Sequence, residues 1–157
     1  MAIRQFQIIA AGDALPAEAH GDLGAFLAYW REKAAGGLPQ RRAIDPIDIA
    51  RLLSRVLLLD VEADDFRFSL VGEEIVDRYG PIKGKSLREL MTGRELELTL
   101  HEHRQCVETR LPVYSQNTIQ SASPGDEQIY QRLLTPYRAD GQAVTCLAGL
   151  MVFRGGG

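Results

Sequence analysis

Residues 55–90, RVLLLDVEADDFRFSLVGEEIVDRYGPIKGKSLREL, constrain the fold more than any other part of this chain. Two runs of β-forming composition, residues 56–62 and 66–72, flank the short turn-like segment 63–65 and predict an antiparallel hairpin. Two short helices follow at once, residues 73–79 and then a helix that Ser86 caps. The order predicts an α+β domain in which short helices leave room for a cavity beside the sheet.

The two strands of this hairpin differ in their patterns. Phe66, Phe68 and Leu70 alternate with polar residues, which predicts one buried face and one exposed face. The first strand is apolar throughout, so Leu58 points away from Leu57 and Leu59 and needs cover from another element.

A helix over residues 21–35 can supply that cover. After a loose start to the chain, four apolar residues fall at positions i, i+3, i+4 and i+7, which lines them along one helix face: Leu23, Phe26, Leu27 and Trp30. Asp45-Pro46 then offers a cap and a first position for a short helix that ends near Leu53.

The second half of the chain predicts a long helix and three strands. Residues 94–110 have an apolar stripe that includes His103, and Pro112 opens an extended segment. The last two strands, residues 128–137 and 143–153, are joined through Asp140-Gly141, a strong hairpin signal.

Composition narrows the classes of function. A net charge of -3 over 157 residues gives no support for nucleic-acid binding, and no apolar run is long enough to span a membrane. Two cysteines without CxxC spacing, Cys106 and Cys146, argue against a disulfide framework or a zinc site. We therefore expect a cytoplasmic protein of one domain.

Residues 44–153 resemble a PAS domain, a ligand-binding and protein-interaction module of signalling proteins. The blocks that carry the resemblance are YWREKAAGGLPQRRAIDP, LLLDVE, FRFSLVGEEIVDRYG and GKSLREL, which are similar to a bacterial family of stand-alone PAS proteins. The resemblance implies a five-stranded antiparallel sheet with helices on one face. It divides the chain into an N-terminal segment with the amphipathic helix (residues 1–43), the PAS-like domain (44–153) and a frayed tail (154–157).

The same resemblance implies a sensory or regulatory module without an output domain of its own. It would bind a small apolar ligand, a signalling partner or both, and it would not be an enzyme. The predicted ligand contacts are Phe68, Leu70, Tyr79, His103 and Leu133. On the strand before Pro136, Tyr130 and Arg132 share one face and Leu133 lies on the other; we expect Leu133 to face the pocket.

Three short sequence features each allow a functional and a simpler structural interpretation. Residues 79–86 imitate a phosphate-binding loop but have Tyr79 in place of the first glycine and follow a helix, which favours a turn between helices. His101-Glu102-His103 lacks the spacing with which two histidines share a zinc ion. His103 itself is either a haem ligand, as in haem-containing PAS sensors, or a core histidine bonded to backbone; the second is favoured.

Two other hypotheses stay open at this stage. The pocket can be filled by side chains in a pure interaction module, or the chain can be a cone-shaped α+β enzyme of the ketosteroid isomerase kind with Asp60 or His103 as its acid or base. A homodimer is expected through a two-fold contact of the N-terminal helix; the residues predicted for this interface, or for a partner, are Leu23, Phe26, Leu27, Trp30 and Leu58.

Overall fold

A computed structural model describes residues 2–120 and 127–155. Within these residues six strands form one antiparallel sheet in the order β1-β4-β5-β6-β2-β3. The strands are β1 (Ala2–Ile8), β2 (Val56–Glu62), β3 (Asp65–Val71), β4 (Val113–Gln120), β5 (Glu127–Arg138) and β6 (Val144–Gly155).

In the described part of the chain, four α-helices cover this sheet, and two short 3-10 helices connect them to it. The α-helices are α1 (Gly21–Lys33), α2 (Glu73–Tyr79), α3 (Leu87–Leu90) and α4 (Gly93–Thr109). The 3-10 helices are Arg41–Ala43 and Ala50–Arg55. The α+β class with helices against an antiparallel sheet is thus confirmed.

The sheet is larger than the five strands expected. β1 pairs with β4 from Ala2 opposite Ile119 to Ile8 opposite Val113, in a part of the chain where we expected a loose start. At the other end, β6 continues through Arg154 to Gly155, so the expected fraying does not begin at residue 154; residues 156–157 lie outside the described part.

The predicted hairpin forms, with one irregularity. Leu58 pairs with Leu70 while Leu59 pairs with Phe68, so Ser69 is an extra residue in β3. Such a β-bulge reverses the alternation of side chains beyond it. Leu70 therefore lies on the same face as Leu58, opposite to Phe68, and it is 38% exposed.

The two faces of the sheet bury separate apolar clusters. Helix α1 and the 3-10 helix Ala50–Arg55 cover one face, where the four predicted residues of α1 pack with Leu58 and Leu133; we call this the α1 face. Helices α2, α3 and α4 lie over the other, which contains Leu57, Leu59 and Phe68; we call this the cavity face.

Polar contacts fix α1 at both ends. The Trp30 indole Nε1 donates to the Pro136 carbonyl at 2.8 Å. In the first turn of the helix, the Asp22 carboxylate accepts from Arg51 at 2.7 Å and from Arg55 at 2.6 Å. The short helix expected after Asp45 is a turn followed by the 3-10 helix, and this helix carries both arginines.

In the described part of the chain, no helix combines the length and the apolar character that a membrane crossing requires.

Candidate functional site

A cavity of about 270 Å³ lies between the cavity face of the sheet and helices α2–α4. Its wall is mostly apolar, with a few polar side chains at one end and at the rim. The lining residues are Leu57, Phe68, Ile75, Tyr79, Ile82, Leu87, Leu90, Met91, Glu95, His103, Tyr130, Arg132 and Met151.

The short helices leave this space because the backbone between them turns sharply. Gly80 ends α2 with a φ of 81°, a conformation that disfavours side chains, and the carbonyl of Val76 accepts its N–H. The segment then returns to the free edge of β3, where Phe68 and Lys85 share a backbone hydrogen bond at 3.0 Å. Ser86 caps α3 as expected, its hydroxyl accepting from the Glu89 N–H at 3.3 Å. Residues 79–86 therefore form a turn between helices, not a phosphate loop.

A buried ion pair forms the polar end of the site. Arg132 of β5 lines the cavity, is 6% exposed, and donates from Nη2 to Oε2 of the fully buried Glu102 on α4. Burial is the largest single effect and disfavours the charged guanidinium, but the charge and hydrogen bond of Glu102, together with Tyr130 and Tyr79, outweigh it, and the pKa of Arg132 lies above its usual value. The pair holds α4 against the centre of the sheet.

More polar side chains lie beside this pair on the same face of the sheet. Ser115 is paired with Arg132, and Asn117 with Tyr130, across β4 and β5, so all four side chains point the same way. Ser115 and Asn117 are both almost fully buried. The Arg132 guanidinium carbon lies 5.7 Å from the centre of the Tyr130 ring. The part of the sheet beside the ion pair is therefore polar.

His103 lies in the cavity wall with its ring oriented by its own helix. Its Nδ1 is 2.8 Å from the Thr99 carbonyl, so a neutral ring carries its proton there, and its ring centre lies 5.2 Å from that of Phe66. This is the core histidine bonded to backbone that the sequence favoured. A cavity of about 270 Å³ lies below the usual range for drug-sized ligands.

Three of the five predicted ligand contacts line the cavity: Phe68, Tyr79 and His103. The prediction for Leu70 is wrong in placement, because the bulge at Ser69 turns its side chain to the other face. The prediction for Leu133 is also wrong, because Leu133 is fully buried on the α1 face. Strand alternation therefore places Tyr130 and Arg132, not Leu133, in the cavity wall.

The five predicted interface residues are all buried within their own chain. Leu23, Phe26, Leu27, Trp30 and Leu58 share the apolar cluster of the α1 face, none of them more than 8% exposed. This is the intramolecular packing over Leu58 that the first strand required. A homodimer stays a prediction, but these side chains are not available as its contact surface.

Two residues of the site were not predicted, Glu95 and Glu102, while Tyr130 and Arg132 were placed on the strand face opposite to Leu133, which was expected to face the pocket. Arg132 gave the clearest signal, because a charged residue in the middle of a strand needs a partner when it is buried. Asp60, a candidate for an enzymatic base, is exposed on β2 and does not line the cavity. No cluster of metal-binding side chains occurs within residues 2–120 and 127–155.

An antiparallel sheet with short helices over a cavity on one face defines the class of this molecule as an α+β domain. The model of the PAS domain family matches residues 19–152. This chain belongs to the PAS domain family.

The fold of one solved structure is similar to that of this chain. An RNA-binding light-oxygen-voltage receptor superposes with a TM-score of 0.54 at 13% identity, over 97% of this chain and 39% of that chain. The chain thus spans well under half the length of that receptor. A fungal LOV domain photoreceptor matches 71% of this chain and 93% of its own, with a TM-score of 0.45 and 15% identity. No curated protein matches by sequence.

Proposed function

We propose that this PAS domain is a sensory or regulatory module that binds a small, mainly apolar ligand between its sheet and helices α2–α4. The observation that supports this best is the cavity itself. Side chains leave about 270 Å³ open where an interaction module without a ligand would have a filled core. Native cores rarely keep such a volume without a use for it.

The ligand would act by changing how the helices pack on the sheet. It contacts α2 through Ile75, α3 through Leu87 and the sheet through Met151 at the same time. A ligand that binds one arrangement of these elements better than another shifts the population toward it. The chain would report the shift to a signalling partner or to a second copy of itself.

Two properties in the names of the similar structures are not carried over to this chain. RNA binding is poorly supported because a net charge of -3 does not favour binding to phosphates. Light reception would need a chromophore, and nothing in the cavity lining argues for one. A reducing, cytoplasmic setting suits the two free, buried cysteines.

Native mass spectrometry of freshly purified protein tests the proposal. We expect a bound small molecule in wild type, and the same spectrum reads the oligomeric mass. Leu90→Trp should expel the ligand because Leu90 lines the cavity. Leu96→Trp is the matched control: Leu96 is equally half-buried and packs on the same apolar cluster without lining the cavity.

The proposal fails if wild-type protein carries no ligand and Leu90→Trp is no less stable or less able to bind added apolar compounds than Leu96→Trp. That outcome would favour a pure interaction module.

A further inference from the structure

We propose that Arg132 makes the cavity selective for a neutral ligand with an apolar body and one hydrogen-bond acceptor, such as an amide or ketone carbonyl. This inference rests on the proposed function, since it names the class of ligand for the same cavity. Three features of the cavity support it.

The first feature is the apolar wall, which fixes the character of the ligand body. Leu57, Phe68, Ile75, Leu87 and Met151 surround the space from the sheet and from both short helices. Each buried methylene of a ligand gains free energy by leaving water, so an alkyl or aryl body fills this part of the site.

The second feature is the unused hydrogen-bonding capacity of Arg132. A guanidinium has five N–H groups, and the Glu102 carboxylate accepts from Nη2. The buried Nε has no hydrogen-bond partner among the described residues. A buried donor without an acceptor is costly, so a ligand that brings an acceptor to this guanidinium gains more than one that does not.

The third feature is the charge that already neutralises Arg132. Glu102 is fully buried against it, and the carboxyl group of Glu95 lines the rim of the same cavity. A carboxylate ligand would place a further negative charge in a site whose described lining residues include one arginine, Arg132, and this arginine is already paired. Burying that surplus charge costs more than burying a neutral carbonyl, which makes the same hydrogen bond.

Calorimetric titration of the full chain with hexanamide, hexanoate and hexylammonium tests this inference, because the three probes share one alkyl body. We expect hexanamide to bind at least tenfold more tightly than either charged probe, at a pH near neutrality. Hexanoate binding more tightly than hexanamide would overturn the inference and define an anion site instead. Equal affinities for all three probes would show that the cavity recognises only the alkyl body, and this result would also overturn the inference.

The double variant Glu102→Leu with Arg132→Leu identifies the group responsible. Removing both charges avoids an unpaired buried ion, and such replacements commonly preserve the fold. Hexanamide affinity should fall by about tenfold to a hundredfold, because one hydrogen bond to a charged donor is lost. Unchanged affinity in a variant with a wild-type circular dichroism spectrum would overturn the role of Arg132.

Failure of this inference differs from failure of the proposed function. If no probe binds saturably to wild type, and Leu90→Trp behaves as wild type does, the cavity is not a ligand site at all. If probes bind and Leu90→Trp blocks them without any preference for the amide, only the ligand class is wrong.

Discussion

Gln131 and Arg132 are neighbours in β5, yet they show how differently the two faces of the sheet are built. Gln131 points to the α1 face, where its Oε1 accepts from the His20 N–H at 2.8 Å and its Nε2 donates to Glu18 and Gln116 at 2.8 and 2.9 Å. Arg132 points to the cavity face, where its Nε has no partner among the described residues. The Gln131 amide is thus fully hydrogen-bonded within the protein, whereas the Arg132 guanidinium has a donor without a partner among the described residues.

The apolar packing differs in the same way. On the α1 face, Leu23, Leu133 and Tyr137 are almost completely buried in one cluster. On the cavity face, Tyr79 is 47% exposed and the helices leave open space above Phe68 and Met151. We therefore expect the α1 face to contribute more to the stability of the domain than the cavity face, where open space replaces part of the packing.

Matched phenylalanine truncations give the largest expected difference between the faces. Phe26→Ala on the α1 face should lower the free energy of unfolding by about 3–5 kcal/mol, because a well-packed ring is replaced by a void. Phe68→Ala on the cavity face should cost less, because part of the Phe68 ring already borders open space. Urea unfolding followed by circular dichroism measures both.

Equal losses of unfolding free energy in these two variants would contradict the expectation that the α1 face contributes more to stability. A larger loss for Phe68→Ala would reverse it, and would mean that the cavity face contributes more to stability than its packing indicates.

The two cysteines provide a second test, because one lies on each face. Cys106 of α4 belongs to the cavity face and Cys146 of β6 to the α1 face. Burial raises the pKa of both thiols, that of Cys146 to about 11, so both should react slowly with a thiol reagent in the native state. We expect Cys106 to react at least tenfold faster, because helices over a cavity open more readily than a central strand.

Single-cysteine variants, Cys106→Ala and Cys146→Ala, report the two rates separately at low denaturant concentration. A faster reaction at Cys146 would show that α1 undocks before the helices over the cavity. Adding a ligand for the cavity should slow Cys106 and leave Cys146 unchanged.

Local sequence patterns predicted most of the fold. The hairpin, the four α-helices and the last two strands follow from alternation, helical periodicity and turn residues, all of which act within about ten residues of chain. β1 was missed because its partner β4 lies more than a hundred residues away, and an edge strand can pair with little apolar signal of its own.

The site was less predictable because it depends on side-chain direction. The extra residue Ser69 places Leu70 on the α1 face instead of the cavity face, and no feature of the sequence marks that bulge. Whether Leu133 or Arg132 faces the cavity also depends on which face of the strand each side chain occupies. Buried leucine is the ordinary expectation, whereas Arg132 becomes tolerable only because Glu102 lies on the helix above it.

Asp22→Asn gives the smallest effect and tests whether α1 is fixed independently of the cavity. Hydrogen bonds from Arg51 and Arg55 lower the pKa of Asp22 from 3.8 to about 2. Because the folded pKa is the lower one, the stabilisation is complete above pH 3.8 and is lost as the pH falls toward about 2. The variant should therefore be less stable by about 1 kcal/mol at neutral pH, a modest value because Arg51 is largely exposed and solvent screens its part of the attraction.

The difference between wild type and Asp22→Asn should shrink steadily between pH 4 and pH 2, in unfolding curves recorded at each pH. Asp140→Asn, in the exposed turn between β5 and β6, is the control for loss of a carboxylate elsewhere. Hexanamide affinity at neutral pH should be the same in wild type and in Asp22→Asn, since Asp22 stabilises α1 on the opposite face of the sheet from the cavity. A loss of affinity together with stability would show that the two faces are coupled, and that α1 transmits the state of the cavity.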